Sequence, residues 1–506
     1  MVHNVERRRR RLQALLAALP GSRGSDEMPN PIAKDTIFIP RPQQPLSLHY
    51  NMAEMDCSPF SFAALPIELQ ILVFEYYLPE FPTVADLHPV DSPYTLARVC
   101  CKWRETVLST GSLWTTMQII VAESSRSALR SESILNCLSE WLARSKACPL
   151  SARLLYQTDN SRSPTDPVCT RAGALGLRIV ALLKEHVDRW HDMVFECPST
   201  LMQPLLDDGG PPKYSQLSAF ELNVNNTRST PRAIDARTLQ LPLSRLTQLY
   251  LSADYNRLLS MDECLDVLAE CPRLLRCAFN LSCDETAVRS RTKPSCNLTY
   301  LNVQLRRTIG FHDDHILAIQ AFAEFLDALP SDSLTDLVVE WLGHLTPTGV
   351  PGLVRALARL VYLENIDLRY LPLTASEVVG VLKALEKLTA LALTYSQDPH
   401  TSSPVDGSLL RGLNFAGDDG VIPLPQLHSV HIWSHGAHLD EHEIVDFVTP
   451  RIRDDGRGLQ VFWMEWDKTV GFDEAKLDVP HHNLKMKVGN PYFRSVIRNP
   501  FIGTHM

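Results

Sequence analysis

No stretch of the 506-residue chain is apolar for long enough to cross a bilayer, which takes about 20 consecutive residues. The 12 cysteines include no C-x-x-C pair, so their spacing encodes neither a zinc module nor a dithiol redox motif. Without a secretory signal they read as reduced thiols, and Cys264, Cys271, Cys277 and Cys283 as small hydrophobes that pack well. No region is broadly basic and the net charge is −9, which argues against nucleic acid as a partner. A Walker-type phosphate loop, a G-x-S-x-G elbow and a dinucleotide fingerprint are all missing, so no enzyme activity and no cofactor are expected. His312-Asp313-Asp314-His315 looks metal-like, but its carboxylates open the helix predicted from Ile316 and fit helix-start chemistry. Gly436 interrupts the spacing of His435, His438 and His442, and His481-His482 has no carboxylate base assigned by spacing. What remains is ordinary globular material, 45% hydrophobic and 21% charged, long enough for more than one domain.

The most specific segment runs from Leu65 to Trp114. It begins Leu65-Pro66-Ile67-Glu68-Leu69, continues with Val73-Phe74 and Leu78-Pro79, and passes through a loop, Glu80–Pro93, that holds Pro82, Pro89 and Pro93. It resumes as Val99-Cys100-Cys101-Lys102-Trp103-Arg104 and closes on Leu113-Trp114. Pro66 suits a first helical turn, where its missing N–H costs nothing, and Glu68 complements the helix dipole there. Leu65, Leu69, Leu72 or Val73, and Tyr76 or Tyr77 form one apolar stripe; Leu96, Val99, Cys100, Trp103 and Val107 form a second. Two short helices of this kind make a small core and leave apolar surface for a partner groove.

This ordered set resembles an F-box, a docking module of cullin–RING ubiquitin ligases. The resemblance implies that a Skp-type linker protein docks on Leu65, Pro66, Glu68, Leu69, Val73, Phe74, Leu78, Val99, Cys100, Trp103, Leu113 and Trp114. The words Trp141-Leu142-Ala143-Arg144-Ser145, Pro149-Leu150 and Arg189-Trp190 are similar to a pattern in F-box-like proteins of mushroom-forming fungi.

Three regions follow from these patterns. Residues 1–56, with the run Arg7–Arg11, read as a basic, disordered tail, with a nuclear-import or anion-binding patch and a targeting helix as the competing readings. Residues 57–120 are the F-box-like helical module. Residues 121–505 are a repeat array that includes a helix–strand transition at 121–215. Within that transition, Ile134–Leu142 and Leu175–Val187 are amphipathic, and an apolar, strand-like stretch follows Leu150.

The array declares itself by the word L-x-x-φ-x-φ, with φ apolar. It occurs at Leu217–Leu222, Leu246–Leu251, Leu274–Phe279, Leu298–Val303, Leu334–Val339, Leu363–Leu368, Leu388–Leu393 and Leu427–Ile432, with a degenerate copy at Leu459–Met464. Helical patterns fill many intervals: Met261–Leu268, Ile316–Leu329, Val350–Leu360, Ser376–Leu385 and Glu441–Val448. The expected fold is therefore α/β: a small helical F-box-like module followed by a leucine-rich-repeat α/β solenoid, or horseshoe, with irregular repeats.

Alternate strand residues should face solvent on the concave sheet, among them Ser218, Glu221, Thr247, Tyr250, Thr299, Asn302, Thr335, Glu340, Asp367, Arg369, Thr389, His431 and Trp433, with Trp341 nearby. Tyr250, Asn302, Glu340, Asp367, Arg369, His431 and Trp433 are the candidate contacts for a protein substrate. The expected function is a substrate-recognition adaptor in the cytoplasm and/or nucleus, without membrane or nucleic-acid partners. The alternative is a repeat scaffold whose F-box-like segment serves as an N-terminal cap.

Overall fold

The computed structural model describes residues 62, 65–81, 92–123, 131–157, 170–206, 214–224, 237, 239–252, 258–283, 288, 293–306, 315–342, 349–395, 404–414, 423–434, 440–452, 458–465 and 485–489. Its frame is one open sheet of thirteen strands: β1 (Thr116–Ala122), β2 (Leu150–Gln157), β3 (Trp190–Cys197), β4 (Ala219–Val224), β5 (Gln248–Ser252), β6 (Arg276–Ser282), β7 (Tyr300–Arg306), β8 (Asp336–Leu342), β9 (Asn365–Arg369), β10 (Ala390–Thr394), β11 (Ser429–Trp433), β12 (Val461–Glu465) and β13 (Lys485–Gly489). Each strand pairs in parallel with the next in sequence. Parallel neighbours need a crossover, and many of the intervals supply a helix. Among the described residues, three α-helices precede the sheet: α1 (Ile67–Tyr77), α2 (Pro93–Ala97) and α3 (Cys101–Ser109). The crossovers hold α4 (Ser131–Arg144), α5 (Arg171–Lys184), α6 (Gln203–Leu206), α7 (Met261–Glu270), α8 (His315–Ala328), α9 (Pro351–Ala358), α10 (Ala375–Lys383), α11 (Gly407–Asn414) and α12 (Glu441–Val448). The result is a mixed α/β chain with solenoid-like strand order.

All nine L-x-x-φ-x-φ words form strands, and in each the strand begins two residues after the leading leucine. The reason is register. Met117, Ala152, Met193, Phe220, Leu249, Cys277, Leu301, Leu337, Ile366, Leu391, Val430 and Phe462 stack in one column, and every one is buried. The leading leucines are buried as well, and the helices complete the same core. Burying a side chain of this size contributes roughly 1.5–3 kcal/mol, repeated at every rung.

The helices start on local chemistry. Ser260, Thr374 and Asp440 open α7, α10 and α12 as capping boxes, with Glu263, Glu377 and Glu443 reaching back to the cap N–H groups at 2.8–2.9 Å. Cys264 and Cys277 lie fully within the core, and burial pushes both thiols well up. No helix among the described residues is long and apolar enough to cross a membrane.

Candidate docking and binding surfaces

Among its described residues the F-box-like segment holds three α-helices rather than two. Its second stripe breaks between Ala97 and Cys101, so Leu96 ends up in α2 while Trp103 and Val107 ride on α3. Cys100 caps α3: its Sγ accepts from the Trp103 N–H at 3.5 Å. Pro66 stands just ahead of α1 and its carbonyl accepts from Leu69 and Gln70, while Glu68 lies in the first turn. Buried Gln70 donates from Nε2 to the Leu65 carbonyl at 2.7 Å, which pins the entry to the helix.

The twelve residues expected to dock a partner divide by exposure. Phe74, Leu78, Leu113 and Trp114 are buried, so they build the module and present nothing to a partner; this corrects the sequence expectation. Leu65, Leu69, Val73 and Trp103 are half-buried, and Pro66, Glu68, Val99 and Cys100 are exposed. Phe62, Phe74 and Trp103 form an aromatic trio with centroids 4.8–5.6 Å apart, which makes Trp103 a packing residue as much as a surface one. Beside Val99, four apolar side chains outside the expected docking set face solvent. Ile67, Tyr76, Tyr77, Val99 and Leu108 are 38–60% exposed. The signal for them was present: α1 reads IELQILVFEYY, apolar on more than one side.

Trp114 joins the module to the sheet. Its indole N–H donates to the Val107 carbonyl at 2.9 Å, and its ring meets Tyr94 and Trp141 edge-on, each at 5.0 Å. The Arg144 guanidinium lies 4.9 Å from the Trp114 ring and donates to the Tyr94 hydroxyl at 2.6 Å. Burial raises the Tyr94 pKa, and Arg144 works against that rise. Trp190 repeats the device at the first residue of β3, donating to the Leu183 carbonyl seven residues back at 3.0 Å.

On the sheet face away from the core columns, the expected substrate contacts are mostly engaged with one another. Gln304 donates to Glu340 at 3.0 Å, Arg369 pairs with Asp367 at 2.7 Å and lies 3.6 Å from Glu340. Burial disfavours the Arg369 charge but is outweighed by Asp367 and Glu340, which raise its pKa. Tyr250 packs 6.5 Å from Tyr300, itself under the Arg276 guanidinium at 4.7 Å. His431 stacks on Trp463 at 5.9 Å, and burial lowers its pKa. Asn302 and Asp367 are only 8% and 3% exposed, so neither is a surface contact, which corrects the sequence expectation; neighbouring Trp341 is buried in the core. Trp433 is exposed at 37%.

Five hydroxyl residues expected on this face have another task. Thr247 Oγ1 donates to the Ser218 carbonyl, Thr299 to Leu275, Thr335 to Thr299 and Thr389 to Glu364, all at 2.9–3.0 Å, while Ser218 Oγ donates to His191 at 3.1 Å. They form a ladder that ties each repeat to the one before it. Further along, Asp192, Glu196 and Glu221 share the face of β3 and β4. Burial pushes Glu221 up to about 7, with Glu196 adding repulsion and Arg153 opposing it. Burial also raises Asp192 and Glu196.

Arg7–Arg11, His312–Asp314, His435, His438 and His481-His482 lie outside the described residues. Among the described residues there is no group of three or more His, Cys, Asp or Glu arranged to hold a metal ion. No protein-family model matches the chain, and no curated protein matches it either.

Proposed function

We propose that the chain is the substrate-recognition adaptor of a cullin–RING ubiquitin ligase. Its F-box-like module docks a Skp-type linker protein and its repeat array holds a protein substrate. The observation that carries this reading is the exposed apolar surface of the module. Ile67, Tyr76, Tyr77, Val99 and Leu108 face solvent within a segment of about 45 residues whose inward side is already packed. Such an adaptor needs no catalytic side chain, because tethering raises the effective concentration of substrate lysines near the transferring enzyme. Burial of Phe74, Leu113 and Trp114 supports a second role for the inward side as the N-terminal cap of the array, and the two roles use opposite faces.

A pull-down of the full chain with the linker protein tests the reading. Ile67→Asp/Val99→Asp is the informative variant, because both side chains are exposed and the fold does not depend on them. Capture of the wild type and loss in this variant support the adaptor; a folded wild type that captures nothing leaves the cap role alone.

A further inference from the structure

A shallow groove runs along the edge where the chain enters strands β4 to β7. Gln216, Ser218, Arg245, Thr247, Arg273 and Asn297 are the polar residues that line it. Four of these polar residues share one repeat position. Gln216, Arg245, Arg273 and Asn297 each immediately precede a leading leucine, Leu217, Leu246, Leu274 and Leu298. Four consecutive repeats thus set Gln, Arg, Arg and Asn in a row along the sheet edge, at the roughly 4.8 Å spacing of paired strands.

Two features distinguish this row from an ordinary solvated rim. No carboxylate lines the groove. Neither the Arg245 nor the Arg273 guanidinium has a hydrogen-bond or ion-pair partner among the described residues, whereas those of Arg237, Arg359, Arg369 and Arg411 are each paired with a carboxylate. The Thr247 and Ser218 hydroxyls are spent on the inter-repeat ladder, which leaves the guanidinium and amide N–H groups as the free donors.

We propose that this groove binds an acidic peptide segment of the substrate, with Arg245 and Arg273 clamping one oxyanion and Gln216 and Asn297 donating on either side. Adjacent guanidinium groups suit the bidentate geometry of carboxylate or phosphoryl oxygens. The role as a substrate site rests on the adaptor reading, but the anion chemistry does not. The chain carries a net charge of −9, so general electrostatics oppose polyanion binding and only a local site would produce it.

The test is fluorescence polarisation on the full chain with three labelled peptides of equal length: oligo-glutamate, the same backbone carrying one phosphoserine, and oligo-glutamine. Binding of at least one anionic peptide is expected, weakened by salt, with oligo-glutamine inert. Arg245→Gln/Arg273→Gln should reduce that binding at least tenfold, while Arg355→Gln, an exposed arginine on α9, should leave it unchanged. Preference between the two anionic peptides, and competition by inorganic phosphate, separates a phosphoryl from a carboxylate ligand. Wild type that binds no anionic peptide, or a double variant that binds as well as wild type, overturns the proposal. Capture of the linker protein is measured on the same samples; it should survive Arg245→Gln/Arg273→Gln, so loss of anion binding and loss of the adaptor function register separately.

Discussion

Removing Trp114 should destabilise the array as well as the module. The side chain is fully buried at the point where α3 runs into β1, between Tyr94 and Trp141, and its indole N–H satisfies the Val107 carbonyl. Trp114→Ala opens a cavity, for which truncating a buried Trp costs about 3–5 kcal/mol. Trp114→Phe keeps most of the ring volume but leaves the Val107 carbonyl without its donor, a loss of about 1–3 kcal/mol. Trp433→Ala is the control: that ring is 37% exposed, and the change should fall within about 0.5 kcal/mol. Urea unfolding followed by circular dichroism reads the three shifts, and amide hydrogen exchange locates them. Loss of protection should extend from Pro93–Ser109 into β1 and β2. A Trp114→Ala penalty below about 1 kcal/mol, or loss confined to residues before Thr116, would refute the idea that this tryptophan welds module to sheet.

Three further outcomes are expected. Thr247→Val and Thr299→Val each remove a hydroxyl that ties one repeat to the last, and each should cost about 0.5–1.5 kcal/mol in urea unfolding. Gly176→Ala would stabilise an open helix by up to about 1 kcal/mol, but here the added Cβ lands 2.8 Å from Leu201 Cδ1, so destabilisation by about 1–3 kcal/mol is expected on thermal unfolding. Glu221 has its folded-state pKa raised to about 7, so folding favours its protonated form. That contribution is complete below the unfolded carboxylate range and is lost as pH rises through about 7. Wild type should therefore lose stability relative to Glu221→Gln between about pH 4 and pH 8 in parallel melting curves, and a difference that stays flat would contradict the burial argument.

The repeat array was legible because its constraint is simple. A parallel strand backed by a helix must bury a leading residue and two alternate ones, and leucine fills the leading place nine times from Leu217 to Leu459. The earlier strands obey the same geometry with other residues. Trp114, Pro149 and Trp190 precede Met117, Ala152 and Met193 by the same three places that separate Leu217 from Phe220, so a leucine template misses β1 and β3. Helix positions were equally readable, and α12 matches its predicted span of Glu441–Val448. The α11 helix, Gly407–Asn414, was missed, as an eight-residue segment beginning on glycine offers little period to detect.

Orientation was harder to read than periodicity. The α1 sequence is apolar on several sides, so pattern alone could not decide that Phe74 turns inward and Tyr76 and Tyr77 outward. On the strands, alternation separates two faces but does not reveal how much of the polar face its own neighbours consume. Asp367 read as a ligand contact and Thr247 and Thr299 as solvent-facing positions, yet they are bound to Arg369 or to backbone carbonyls of the adjacent repeat. Those partners lie 2 to 29 residues away, and the longer distances are invisible without the register.

The most direct test of the adaptor account is calorimetric titration of a purified Skp-type linker protein into the full chain and into Ile67→Asp/Val99→Asp, with melting curves recorded on both. The account predicts saturable binding by the wild type and at least a hundredfold loss in a variant that melts within a few degrees of it, since each buried charge costs several kcal/mol when left unpaired. Equal binding by the variant, or none by a folded wild type, would contradict it.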